Sequence, residues 1–197
     1  MEFDIFKDLA FVVELEKMKS VLRRTKVLKT ERRENDAEHS WHIATMSLFL
    51  SKYYKNKVNV EKVIKMLLIH DLVEIYAGDT FAYDVKANEE KHKRELLAVE
   101  KIKGQLTFDN AELFENLWIE FESKITLESK FANSMDRLQP ILTNINDGNG
   151  GTWREFGVTK SQILKRIEPI KDFNDEIYAY LLSEINKSIE KGHIINT

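Results

Sequence analysis

The run "LLIHDLVEIYAGDT", residues 67–80, carries His70, Asp71 and Glu74 among residues that belong in a core: Leu67, Leu68, Ile69, Leu72, Val73 and Ile75. Asp79 follows just past Gly78. On a helix Glu74 lies one turn after His70 and three residues after Asp71, so the three side chains reach a common point. An unpaired ionised carboxylate is costly in an interior, and three arrangements would relieve that cost. The helix is turned so that Asp71 and Glu74 meet solvent, or they pair with Lys or Arg, or a divalent cation supplies the counter-charge. Imidazole and carboxylate suit Zn, Mn, Fe or Co, with histidine bonds of about 2.0–2.1 Å to zinc.

Two further positions bear on that choice. His39 shares a helix face with Ile43, Met46 and Leu50, which is equally the setting of a hydrogen-bonded core histidine. The surrounding "HSWH" lacks the HExxH spacing of a zinc protease helix. Asp136 lies opposite the apolar stripe of Phe131, Met135, Leu138, Ile141, Leu142 and Ile145, so periodicity alone makes it solvent-facing. Pro140, four residues on, removes the helical hydrogen bond to the Asp136 carbonyl and predicts a kink beside a face of small residues.

Helices must position these residues. Apolar spacings of three and four recur in at least six segments, the first from about residue 3 to 22. Asn35, with Glu38 three positions later, predicts a capping-box start for the second. The third runs over residues 59–77 and ends at Gly78, as a glycine just past a C-terminus does. "EEKHKRELLAVEKIKGQL", "NAELFENLWIEFESK" and "LESKFANSMDRLQPILTNIND" read as the fourth to sixth helices. "DGNGG", residues 147–151, is a loop, and one or two helices follow it. Trp153 after that loop reads as a surface tryptophan tucked against a neighbouring helix.

Composition agrees with one helical unit. The 197 residues are 43% hydrophobic and 32% charged, with only 7 Gly and 2 Pro, so one all-α domain of six to eight helices over residues 1–197 is expected. A net charge of −3 with interspersed signs gives no basic field for nucleic acid or a membrane surface. With no cysteine, thiolate ligands and a Cys nucleophile are excluded and an intracellular compartment is favoured. No stretch has the apolar length of a membrane span, and the charged N-terminus is unlike a signal peptide. A cytoplasmic protein is expected.

"EHS" at residues 38–40, "HDLVEIYAGD" at 70–79, "EEKHKRE" at 89–95 and the aspartate in "SMDRLQP" together resemble the HD-domain metal-dependent phosphohydrolases. The resemblance spans roughly residues 10–190 and is nearest to the YfbR-like 5'-deoxynucleotidases. It implies one divalent metal ion (Mn, Co, Zn, Fe or Mg) held by His39, His70, Asp71 and Asp136, with Glu74 and Asp79 as catalytic carboxylates. It also implies Arg24 as a substrate-holding arginine, with Arg23 as the equivalent should the alignment slip by one. Thr25 stands where the family has an aromatic neighbour. The implied substrates are deoxyribonucleoside 5'-monophosphates and the implied assembly a homodimer. The family's fold also serves (p)ppGpp hydrolases and deoxynucleoside triphosphohydrolases, and Thr25 leaves nucleotide-analogue monophosphates open as substrates. Ile75 after Glu74 departs from the alarmone hydrolases, and a non-catalytic nucleotide sensor should have lost some of these ligands. Lys91, His92 and Arg94 receive no catalytic role, since Glu89, Glu90 and Glu95 offer them ordinary ion pairs.

Overall fold

The computed structural model describes residues 4–197. The first helix is shorter than its apolar spacing predicts, and its expected start at Phe3 lies outside the described residues. Helix α1 (Ile5–Glu14) tightens into a 3-10 turn, Leu15–Ser20, and the chain then extends. "LRRTK" is a strand, β1 (Leu22–Lys26), paired antiparallel with β2 (Arg33–Asn35) through an irregularity in register. The all-α expectation therefore gains one small ribbon. It alternates, turning Arg23 and Thr25 inward and leaving Leu22 and Arg24 exposed.

Helix α2 (Asp36–Leu50) opens on the expected capping box, in which Asn35 Oδ1 accepts from Glu38 N at 2.9 Å and Glu38 accepts from Asn35 N at 3.2 Å. The third predicted helix is interrupted. It is α3 (Val60–Ile69), a 3-10 turn over His70–Val73, and α4 (Glu74–Ala77). In a 3-10 turn residues three apart eclipse one another, so Asp71 and Glu74 project along one line. Gly78, at φ +75°, ends α4 in backbone space that side chains rarely adopt.

Then come α5 (Val85–Glu89), α6 (Lys91–Lys103), α7 (Phe108–Ser123) and α8 (Leu127–Asn146). The chain ends with α9 (Gly151–Glu155), α10 (Lys160–Ile167), α11 (Ile170–Phe173) and α12 (Asp175–Glu190). Among the described residues, eight helices have eight residues or more.

Helix α8 is the axis of the molecule, packed by α2, α3, α7, α9, α10, α11, α12 and β1. So surrounded, it keeps little solvent face: Phe131, Ala132, Met135 and Leu138 are buried, and so are the polar Asn133, Ser134 and Gln139 opposite them. Pro140 does not end it, and Asn144 Nδ2 donates to the Pro140 carbonyl at 2.8 Å. Trp153 is fully buried rather than a surface residue, and its Nε1 donates to Tyr83 Oη at 3.3 Å. No described helix is long and apolar enough to cross a membrane.

Candidate metal centre and cavity

Helix α2 supplies His39, the 3-10 turn supplies His70 and Asp71, and α8 supplies Asp136. Close-packed helices bring all four together. His39 is wholly buried, with Nδ1 3.1 Å from Gln139 Oε1 and Nε2 3.2 Å from Asp136 Oδ1. His70 places Nδ1 2.9 Å from the Leu67 carbonyl and Nε2 3.0 Å from Asp71 Oδ1. Asp136, solvent-facing by periodicity, is turned inward because α8 is enclosed on that side too.

The hydrogen-bond network assigns the tautomers. Gln139 Nε2 donates to Glu34 Oε1 at 2.9 Å, which leaves Gln139 Oε1 to accept from His39 Nδ1. The Leu67 carbonyl can only accept, so His70 Nδ1 also carries a proton. In its neutral form each imidazole turns a bare Nε2 lone pair toward a carboxylate oxygen at 3.0–3.2 Å. Two acceptors at that range repel unless a proton or a metal cation lies between them. Ligands about 2.1 Å from one ion at right angles stand about 3.0 Å apart, so the spacing matches the edges of a coordination shell. The ligand atoms of His39, His70 and Asp136 lie within 4.8 Å of one another, and His70 Nε2 is buried without a hydrogen-bond partner. The donor set fits a divalent cation with imidazole and carboxylate preferences.

Charge in the site follows from burial and neighbours. Burial, and then Arg23, press the His39 imidazole down to about 4, so it is neutral at pH 7. For His70 burial works the same way, but Asp71 and Asp136 outweigh it and raise the imidazole. Burial opposes charge on Asp136 as well, yet Arg166, with Nη2 3.1 Å from Oδ2, and the imidazoles hold it well below the carboxylate range. Asp71 is likewise held low, with His70 and then Arg23 overcoming burial.

A second group of carboxylates, Asp36, Asp71 and Glu74, meets beside the first. Arg23 faces it, with Nη1 3.0 Å from Asp71 Oδ2, 3.5 Å from Asp36 Oδ1 and 3.9 Å from Asp79 Oδ1, and Nε 3.5 Å from Glu34 Oε2. Two of the relieving arrangements, a basic partner and a cation-shaped site, thus operate on the same residues. One arginine does not neutralise them all. Burial, and then the Asp71 charge, push Asp36 up to about 8, and burial pushes Glu34 up to about 7 against the pull of Arg23. Glu74 rises well above the carboxylate range through burial and the charges of Asp71, Asp36 and Asp79. Asp79 is raised by burial despite Arg23.

His70, Asp71, Glu74, Asp79 and Asp136 line an open cavity of about 300 Å³ together with Arg23, Arg24, Lys91, His92 and Arg166, and His39, Glu34 and Asp36 lie outside its lining. Arg24 has no carboxylate within salt-bridge distance among the described residues, and its guanidinium lies 5.6 Å from the Phe156 ring centre. Lys91 Nζ stands 3.9 Å from Glu74 and 3.3 Å from Glu95. Arg94 does not face the acidic groups; it fastens the loop after Asp79 by donating to Thr80 Oγ1 at 2.8 Å. Sequence reasoning missed Glu34, Asp36, Gln139 and Arg166. The acids sit beside a helix cap, where charge is ordinary, and Arg166 belongs to a basic run.

A helical bundle in which two histidines and two aspartates converge beside a cavity defines a helical metal-binding class of protein. Within it, the chain belongs to the HD domain family, whose model matches residues 15–178. A solved structure from Magnetospirillum magnetotacticum, called a predicted metal-dependent phosphohydrolase, is 40% identical to it. That similarity covers 97% of this chain and 95% of the other, with a TM-score of 0.89. The 5'-deoxynucleotidase HDDC2 of Xenopus laevis is 34% identical over 116 residues, 58% of this chain and 55% of its own. The Homo sapiens protein of the same name is 32% identical over 113 residues, 57% and 53% of the two chains. The chain therefore spans little more than half the length of the curated relatives it matches.

Proposed function

We propose that this chain is a metal-dependent phosphomonoesterase that hydrolyses nucleoside 5'-monophosphates, deoxyribonucleotides by preference, to nucleoside and phosphate. The observation that carries the reading is the convergence of His39 Nε2 and His70 Nε2 with Asp71 and Asp136, of which His70, Asp71 and Asp136 line an open cavity. The names of the Xenopus and human relatives support the substrate class.

His39, His70, Asp71 and Asp136 would hold one divalent ion, Mn, Co, Zn, Fe or Mg. Such an ion lowers the pKa of a water and polarises a phosphoryl oxygen. Glu74, in the ionised form that Lys91 favours, would orient an attacking water and take its proton as the water's oxygen bonds to phosphorus and the 5'-oxygen leaves. Asp79, raised by burial, is poised to give a proton to the departing 5'-oxygen or to bind the sugar. Arg23 is committed to the carboxylates of the site, so Arg24 is the arginine left to clamp phosphate.

The whole of residues 1–197 is taken as one HD domain working in the cytoplasm as a homodimer. Exposed Phe6 and Val13 on α1 and Trp41 and Phe49 on α2 are candidates for the covered face, which sedimentation would reveal. The test of function is phosphate release from deoxy- and ribonucleoside mono- and triphosphates by metal-stripped protein resupplied with each ion. Release from deoxymonophosphates that Asp71→Ala abolishes is expected. Turnover that survives both stripping and Asp71→Ala would overturn the assignment.

A further inference from the structure

Part of the cavity lining is chemically unlike its acidic groups. Past Asp79 the chain turns through Phe81, Ala82 and Tyr83, which line the cavity together with Pro140 and Thr152. The turn is well fastened. The Phe81 carbonyl accepts from Asp84 N and Asn88 Nδ2, each at 3.0 Å, and the Tyr83 carbonyl accepts from Gln162 Nε2 at 3.4 Å. Tyr83 Oη is held by the buried Trp153.

The Phe81 ring, only partly buried, is backed by Phe156 at 4.9 Å between ring centres and edged by Tyr83 at 5.3 Å. Arg24 and Arg33 lie over Phe156 at 5.6 and 5.7 Å. Arg33 is tied to Glu155, whereas Arg24 is unpaired among the described residues and lines the cavity. Phe81, backed by Phe156, thus lines the same cavity as His70, Asp71 and Asp136, with Arg24 among the lining residues.

We propose that Phe81, backed by Phe156, is the platform on which the substrate's base lies, so that the site selects phosphomonoesters carrying a flat aromatic ring. This rests on the phosphomonoesterase reading and makes Phe81, rather than any residue next to Arg24, the specificity-determining aromatic. Stacking needs only a π-face, so the platform accepts purines and pyrimidines alike and leaves sugar selection to other groups.

The experiment compares wild type with Phe81→Leu, which keeps apolar volume but removes the face, and with Phe81→Trp, which restores one. Two readouts are taken: the ratio of kcat/KM for deoxyadenosine 5'-monophosphate to that for 2-deoxyribose 5-phosphate, and calorimetric binding of deoxyadenosine. Phe81→Leu should lower the ratio and weaken deoxyadenosine roughly 5- to 100-fold, and Phe81→Trp should recover both. An unchanged ratio with unchanged deoxyadenosine binding in a folded Phe81→Leu protein overturns the platform and leaves Phe81 a packing residue. Weakened deoxyadenosine binding in a chain whose wild type releases phosphate from neither ester upholds the platform and overturns the phosphomonoesterase reading instead.

Discussion

Replacing Arg23 with leucine removes the cation that four carboxylates face, and the expected cost can be worked out. Asp71 is nearest, at 3.0 Å, and is the one held well below the carboxylate range. Without Arg23 and without metal His70 is the main group left to hold its charge, and in the limit Asp71 takes a proton. Taking one at pH 7, against an unfolded value of about 3.9, costs about 4 kcal/mol. That agrees with the roughly 3–5 kcal/mol lost when one partner of a buried ion pair is deleted. Asp36 and Glu34, near 8 and 7, already stand close to their neutral forms, so they add little. In a chain of this size the loss lowers Tm by roughly 8–16 °C.

The pH dependence has a definite sign. A carboxyl depressed by folding stabilises above its unfolded value and loses that contribution as pH falls through its folded value. Arg23 supplies part of that depression beside the larger share from His70, so the gap between wild type and Arg23→Leu shrinks on acidification from pH 7 to pH 5. Urea or thermal unfolding in chelator at both pH values measures it. A loss below about 1 kcal/mol at pH 7, or a gap that widens toward pH 5, would refute the electrostatic account of Arg23.

Gln139→Ala removes the acceptor that keeps the His39 proton on Nδ1, and metal affinity measured by competition with a chelator should fall about 10- to 100-fold. Arg24→Ala, at an exposed side chain with no ion-pair partner among the described residues, should leave unfolding stability within about 0.5 kcal/mol of wild type while raising nucleotide KM at least several-fold. An Arg24→Ala protein with native KM would return the phosphate contact to another cation of the cavity.

The sequence revealed the His70–Asp71–Glu74 knot because those residues break an apolar run that has to be buried. The same reasoning failed at Asp136, since periodicity divides a helix into a core side and a solvent side. Helix α8 is wrapped by neighbours from both ends of the chain and has no such division. Gln139 was hidden for the same reason. The ribbon went unread because Arg23 and Arg24 look like one polar stretch. The alternation of the strand, which sends Arg23 under the carboxylates and Arg24 into the open, depends on pairing with residues that follow a polar turn. Where helix caps and terminators act locally, at Asn35, Glu38 and Gly78, sequence and structure coincide.

The enclosure of α8 also has a consequence for the order in which the molecule assembles. His39 and Asp136 stand 97 residues apart in the chain, and Glu34 and Gln139 stand 105 apart. Contacts that close such long loops form late, because their entropic cost must be met before they return anything. Arg166, from α10, reaches Asp136 only when the C-terminal helices have docked. Capacity to bind a cation tightly should therefore emerge in the last phase of folding, after most helical signal has returned. A metal-sensitive probe would then report on completed tertiary structure, with partly folded chains contributing nothing to it.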